Sequence, residues 1–440
     1  MLPGIVKRWR IRLNGLGRVG TRSALQAYLH VLGGSMGRLI LQGLYFALLV
    51  NALSLADYGV FASALAASII IANVGAFGFT APLFRGATTR RRLLPWYLGA
   101  FLAWTALVAP LSVGLATVFH MAVMDRYIGL TAFLAIAISE AILWPLIDSI
   151  YVVNAGLGRY AHASGSTLFG SATRTAAALL FGLGGGGTVE QWAFAYLAAN
   201  LVAAIACVLL FMPRVRPRWN TRIVRGRIPE AVSTSILNLI QSVQLELDKL
   251  LILLLTNQAA AGVYALAMRL IDLTSTPVKS FFTIYAQTLL RRRASIRDFA
   301  LSLKVELAVA AVATALFGGF LVVLSFAPSM LGANVGRAFP FLAGLIVIPA
   351  MKTLVDYHRE LFFSANRLAW FAGISAVLAA IKMPALVLIV ANGRALESWL
   401  LPLTLLFVTL YAVSSALTWR LIFWRPSPVA TAAMAPAPAE

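Results

Sequence analysis

The sequence predicts an all-α polytopic membrane protein: twelve transmembrane helices in two pseudo-symmetric six-helix bundles around a central cavity. Three observations carry this prediction. Of 440 residues, 60% are hydrophobic and 12% charged, where soluble chains carry about a quarter charged, and the mean hydropathy is +0.86. Apolar runs long enough to cross ~30 Å of hydrocarbon begin near residues 27, 58, 96, 127, 163, 190, 233, 262, 303, 338, 367 and 398. Arginine-dense segments also alternate with loops that hold few cations.

In chain order, residues 1–22 contain Lys7, Arg8, Arg10, Arg12, Arg18 and Arg22 opposite Leu2, Ile5, Trp9, Leu13 and Leu16. This segment reads equally as an amphipathic helix lying on the membrane or as an unstructured basic tail. No small-residue cleavage site follows a short apolar core, so the first span is expected to act as the targeting element. The tail, 85–92, 213–227 and 291–297 are rich in arginine, whereas 184–191 (GGGGTVEQ) has no cation. The positive-inside rule then places both termini in the cytoplasm, and topology rather than nucleic-acid binding accounts for the net charge of +21. Residues 426–440, rich in Pro and Ala, read as a disordered tail.

The basic linker 213–229 separates six spans in 23–212 from six in 230–425, and the halves resemble each other. Gly59-Val-Phe-Ala matches Gly262-Val-Tyr-Ala, and Arg90-Arg-Arg matches Arg291-Arg-Arg. Asp148 with Asp356, Arg159 with Arg367, and Arg174 with Lys382 share one spacing. Six spans per half keep the halves in the same orientation, as a parallel repeat about an axis along the membrane normal.

Charges inside the spans mark the candidate site, because an ionisable group at bilayer depth costs at least ~2.5 kcal/mol unless paired or wetted. In 237–293, Asn238, Gln241, Gln244 and Asp248 share a helical face with Lys249 at its margin, and Arg269, Asp272, Thr276 and Lys279 share another. Arg38, Gln42 and Tyr45 lie on one face of the first span together with Ser35, and Glu140, Trp144, Asp148 and Tyr151 on one face of the fourth. Arg174 and Lys382 fall near the middle of their spans, as cavity cations or as partners in buried ion pairs. Asp272 with Arg269 and Asp356 with Arg359 are spaced for pairing within a helix. Glu246 points away from the Gln241–Asp248 face and has no evident role, and Pro145 is placed to break its helix. The predicted substrate cavity comprises Arg38, Gln42, Tyr45, Arg174, Gln241, Gln244, Lys249, Arg269, Lys279 and Lys382. Glu140, Asp148, Asp248, Asp272 and Asp356 balance charge or carry a coupling proton or sodium ion. The cation excess favours an anionic ligand.

Other chemistry finds little support. Cys207 is the lone cysteine, and the four histidines have no metal-ligand spacing, so no cofactor is expected. No nucleophile elbow or Walker lysine is present. No loop is long enough for the acceptor site of a membrane glycosyltransferase or polymerase.

The stretches SLADYGVFASALA (54–66), AGLGRYAHAS (155–164) and LELDKLLILLLTNQAAAGVYALAMRLIDL (245–273) resemble the polysaccharide transporter family. These are the lipid-linked oligosaccharide flippases of the multidrug/oligosaccharidyl-lipid/polysaccharide exporter superfamily. The resemblance covers nearly the whole chain. It implies a bacterial inner-membrane protein that moves a polyprenyl-diphosphate oligosaccharide across the bilayer, with membrane lipids, a polysaccharide polymerase and glycosyltransferases as partners. Related peptidoglycan-precursor flippases have fourteen spans. Multidrug cation antiporters of the superfamily have twelve and form the alternative. The topology has a direct check: cysteines placed in 213–227 should resist an impermeant outside reagent while those in 184–190 react, and the reverse pattern would invert the orientation.

Overall fold

The computed structural model describes residues 21–423 except 75–76, 292–298, 328–329, 366 and 394, with backbone alone for 21–35, 77, 280 and 283–291. The predicted segment 1–22, apart from its last two residues, and the predicted tail 426–440 lie outside the described residues. Each of the twelve predicted spans corresponds to one long helix or, once, to a bent pair. The first half holds α1 (Thr21–Ala52), α2 (Leu55–Val74), α3 (Arg91–Met124), α4 (Leu130–Gly156), α5 (Tyr160–Leu183) and α6 (Val189–Phe211). The second half holds α7 (Thr221–Leu255), α8 (Gln258–Arg291), α9 (Phe299–Phe326), α10 (Ala333–Gly344 and Ile348–Ser364), α11 (Leu368–Asn392) and α12 (Leu396–Ile422). There is no strand among the described residues.

Seven of these helices are long and apolar enough to cross a bilayer, and α10 makes an eighth if its two parts, bent by 74°, count as one. Three of the others, α1, α7 and α8, carry polar stripes read from the sequence, and α5 carries Arg174. The outer surface is what lipid requires. Leu107, Leu111, Leu180, Leu209 and Leu401 stand largely exposed, a waste of apolar area in water but not among acyl chains.

Local chemistry explains the departures from the expected boundaries. α7 starts at Thr221, within the stretch read as linker, because the Asn220 side chain accepts hydrogen bonds from the Arg222 and Ile223 N–H groups. Its 35 residues reach ~52 Å at 1.5 Å per residue, so its arginine-bearing first turns extend past the hydrocarbon. This end of the molecule is the basic face. Pro145 does not break α4. A π-helical turn at Ser139–Leu143 absorbs the N–H that proline lacks, and the helix continues with Glu140 in the widened turn.

Packing repeats between the halves. α5 lies along α1 and against α4 and α6, as α11 lies along α7 and against α10 and α12. α2 meets α4 as α8 meets α10. Between the bundles α2 packs along both α7 and α8, whereas α1 touches α8 only briefly. Among the described residues one lateral seam is therefore sealed and its symmetry counterpart makes few contacts.

The repeated Gly-Val-aromatic-Ala sequences meet each other. A Cβ on Gly59 would run into the Gln258 carbonyl and the Gly262 backbone, and one on Gly262 into the Leu55 carbonyl. Leu55 and Gln258 are related by the same spacing as the two glycines, so the contact is reciprocal about the pseudo-axis. Nearby, at the face opposite the basic one, Asn51 Nδ2 donates to the Leu331 carbonyl at 2.6 Å. Asn334 Nδ2 donates to the carbonyls of Val50 at 2.7 Å and Leu53 at 2.9 Å. The second bundle thus caps carbonyls that the end of α1 leaves unpaired, and the bundles are closed here.

Adding side chain at the glycine contact should open it. Gly59→Val should lower stability by roughly 1–3 kcal/mol through overpacking, read as a lower unfolding midpoint in detergent. Gly114→Val, where nothing lies within 4 Å of the added atom, should be near neutral.

Candidate functional site

A central cavity of about 210 Å³ lies between the bundles. Arg38, Gln42 and Tyr45 of α1, Trp144 of α4, Arg174 of α5, Lys249 of α7 and Arg269 of α8 line it, with Tyr58, Phe61 and Tyr196 as aromatic wall. The most constrained member is Arg174. Its Nη2 donates to Glu140 Oε1 at 2.9 Å and its Nε to Asn200 Oδ1 at 2.8 Å. Its guanidinium carbon stands 4.0 Å from the Trp144 ring centroid and 4.9 Å from that of Tyr196. Tyr196 also donates to Glu140. The widened turn of α4 presents Glu140 to this network, and the pair satisfies two charges that lipid would penalise separately.

Lys249 is bound by Glu246 one turn earlier on α7. This corrects the reading of Glu246 as a residue without a role: it lines the same cavity and neutralises Lys249. Arg38 and Arg269 differ from both. Among the described residues no carboxylate forms an ion pair with either. Arg38 sits 5.9 Å from the centroid of Trp144, the ring Arg174 also uses. Asp148 and Tyr151 face Arg38 from α4, and Asp148 is exposed. The cavity therefore holds four cations against two carboxylates, and its two unpaired arginines come from opposite halves.

The remaining predicted residues form a second, smaller space of about 60 Å³ inside the second bundle, lined by Gln241, Gln244, Lys279, Lys352, Asp356, Arg359 and Lys382. Lys279 and Lys382 are therefore not part of the central cavity. Lys382 Nζ donates to Asp248 Oδ2 at 2.7 Å and to the Gln244 carbonyl at 2.9 Å, and Tyr264 donates to Asp248 at 2.8 Å. Asp272 does not pair with Arg269, nor Asp356 with Arg359. Asp272 meets Lys352 at 3.0 Å and Lys279 at 3.4 Å, and Asp356 meets Lys279 at 2.9 Å. Lysines on the adjoining helices α8 and α10 reach these acids, which leaves Arg269 turned to the other cavity.

Arg174 and Lys382 lie on the equivalent helices α5 and α11, each held by a carboxylate from a neighbouring helix. Asp148 and Asp356 differ in that only Asp356 has a fixed cation partner. Sequence reading missed Tyr58, Phe61, Tyr196, Asn200 and Tyr264, whose apolar surroundings make them look like core. The one available signal was Asn200, a buried amide one turn from Tyr196 on α6.

The Lys382–Asp248 pair is the most buried lysine–carboxylate pair among the described residues, with side chains 5% and 3% exposed. Asp248→Asn strands that lysine and should cost roughly 3–5 kcal/mol, whereas Asp248→Leu with Lys382→Met should recover most of it. Chemical unfolding in detergent measures both.

No family model matches the chain, and no curated protein matches its sequence. Solved structures do match its fold. A multidrug resistance MATE family transporter of the MOP superfamily in an inward-facing conformation aligns at 13% identity and a TM-score of 0.59, over 92% of this chain and 99% of its own. The lipid II flippase MurJ, inward closed, aligns at 10% identity and a TM-score of 0.63, over 89% and 86% respectively. The MATE multidrug transporter DinF-BH aligns at 11% identity and a TM-score of 0.61, over 93% and 98%. With twelve long helices in two bundles among the described residues, the chain shares the fold of these transporters.

Proposed function

We propose that this chain is a flippase for a polyprenyl-diphosphate-linked oligosaccharide, moving it across the bacterial inner membrane by alternating access of the two bundles. The observation that carries this reading is the pair of unpaired arginines, Arg38 and Arg269, facing one cavity from opposite halves. An anion between them gains from both, and forked guanidinium donors suit phosphate oxygens. The polar and aromatic wall supplies hydrogen bonds and ring faces for sugars, which cannot cross hydrocarbon bare. The sparsely contacted seam between α1 and α8 lets a lipid tail remain among acyl chains while its head group enters. Closure at the Asn51–Asn334 face leaves the basic face as the side of entry, where such a precursor is made.

The alternative, a multidrug cation exporter, needs an acid free to meet a cation. Both carboxylates lining the central cavity, Glu140 and Glu246, already face cations. The lipid II flippase among the structural neighbours agrees with a lipid-linked substrate, and the multidrug transporters with the alternative.

Binding to the purified protein in vesicles separates the two. A polyprenyl diphosphate carrying one sugar should bind, and a neutral glycolipid with the same sugar should bind poorly. Arg38→Ala and Arg269→Ala should each lose roughly 1.5–3 kcal/mol of binding, with Arg→Lys intermediate. Preference for a lipophilic cation over the diphosphate would favour the exporter instead.

A further inference from the structure

Most carboxylates inside the spans have a lysine or arginine partner. Glu140, Glu246, Asp248, Asp272 and Asp356 each face a lysine or arginine. A proton taken up by one of these acids would strand a buried cation, so they are poor proton carriers. Asp148 is exposed and faces Arg38. Glu360 of α10 is half-buried beside Arg359. Glu306 differs from all of these. It lies on α9 with its side chain 2% exposed, and its ion-pair partner is His358 of α10, fully buried, with Oε1 and Nε2 3.4 Å apart.

The surroundings of the pair are polar but uncharged. Tyr411 of α12 donates to Glu306 Oε2 at 2.8 Å, and its ring stacks on His358 at 5.9 Å. Ser414 of α12 bonds His358 Nδ1 at 2.8 Å. Trp419 of α12 also faces the carboxylate, and Tyr357 adjoins the imidazole. Among the described residues no lysine or arginine pairs with Glu306. Glu306 Oε1 and His358 Nε2 have no other hydrogen-bond partner, so each has the other as the group it can share a proton with. With neutral histidine the site carries a buried net charge of minus one, and one proton brings it to zero.

The pair also stands directly behind the smaller cavity. Asp356, two residues before His358, lines that space, as do Phe407 and Leu410 beside Tyr411. Any shift of α10 against α12 therefore moves the cavity wall and the pair together.

We propose that Glu306 and His358 form a proton-binding site whose occupancy biases the position of the second bundle, which makes the proton the coupling ion of the transporter proposed above. The site suits a proton better than sodium, because imidazole nitrogen is a poor ligand for hard alkali ions and the oxygen donors are few. The sign follows from burial. The closed packing described here favours the neutral, protonated pair, and the deprotonated pair favours an arrangement that lets water reach Glu306. The described arrangement therefore gains population as pH falls through the titration of the pair and loses it as pH rises. One proton changes the ratio of states by at most about tenfold per pH unit.

The test uses the full chain in lipid vesicles, with Cys207→Ser and spin labels at Leu183→Cys and Met330→Cys, one on each bundle at the closed face. Distance distributions are recorded between about pH 5 and about pH 8, the range in which histidine titrates. The expected result is a shift toward the short distance as pH falls, abolished by Glu306→Gln and by His358→Gln. It should persist in Asp148→Asn and in His120→Gln, whose imidazole faces the exposed Asp125 at 4.0 Å. If either core variant fails to fold, the other, with Tyr411→Phe displacing the midpoint, carries the test. A wild-type response in Glu306→Gln, a response lost in His120→Gln, or one that follows sodium at fixed pH would overturn the proposal. The anion reading fails separately, since Arg38→Ala and Arg269→Ala should keep the pH response while losing the diphosphate.

Discussion

A charge held at bilayer depth must have a partner or water, and the interior of this protein is arranged around that requirement. Arg174, Lys249, Lys382 and the Lys279–Lys352 cluster each bring cations to within reach of carboxylates on their own or adjoining helices. These contacts tie α4 to α5, α7 to α11 and α8 to α10. The same pairings that make the charges tolerable therefore hold each bundle together. What remains after pairing is a small surplus of positive charge, concentrated where the bundles face one another. The balance of neutralised and free charge bears on the sign of a ligand more than any single residue does.

The two cavities illustrate the distinction. In the second bundle the acids nearly match the lysines, and the space is small, so it reads as a structural ion-pair lattice with some room for water. In the central cavity cations outnumber carboxylates, and aromatic rings join the acids as neighbours of Arg38 and Arg174. A ring face attracts a cation without neutralising it, so Trp144 steadies Arg38 while leaving its charge available, whereas Arg174 on the same ring is also neutralised by Glu140.

The fold was legible from the sequence because its period and its punctuation are both strong. Each apolar run of bilayer length became a helix, and the repeated glycine motif marked the line where the halves touch. The site was legible in composition but not in arrangement. Helical spacing identified which faces carried Asp272, Arg269 and Lys279, yet it compares only residues of one helix. Lys352 and Lys279 outcompeted Arg269 for Asp272 from positions that spacing cannot rank. Glu246 and the Glu306–His358 pair were missed for a related reason, since what lies opposite them is fixed by the rotation of whole helices. The polar groups of α6 were hidden by another effect: Tyr196 and Asn200 interrupt an apolar run too briefly to change its period.

The contact between Gly59 and Gly262 has a bearing on how such a chain arises and moves. A residue on a two-fold axis meets its own equivalent, so every substitution there acts on both sides of the joint. For a half-length chain pairing with a copy of itself, one larger side chain would have produced two collisions, and one glycine removed both. Fusion of two copies would inherit the joint without further adjustment. At the glycines themselves the surface is backbone against backbone, with side chains such as Asn51, Asn334 and Asn73 bonding across the seam around it. Parting the glycine contact itself requires no rotamer to turn over. A joint of this kind can part and re-form while the charged pairs inside each bundle stay made.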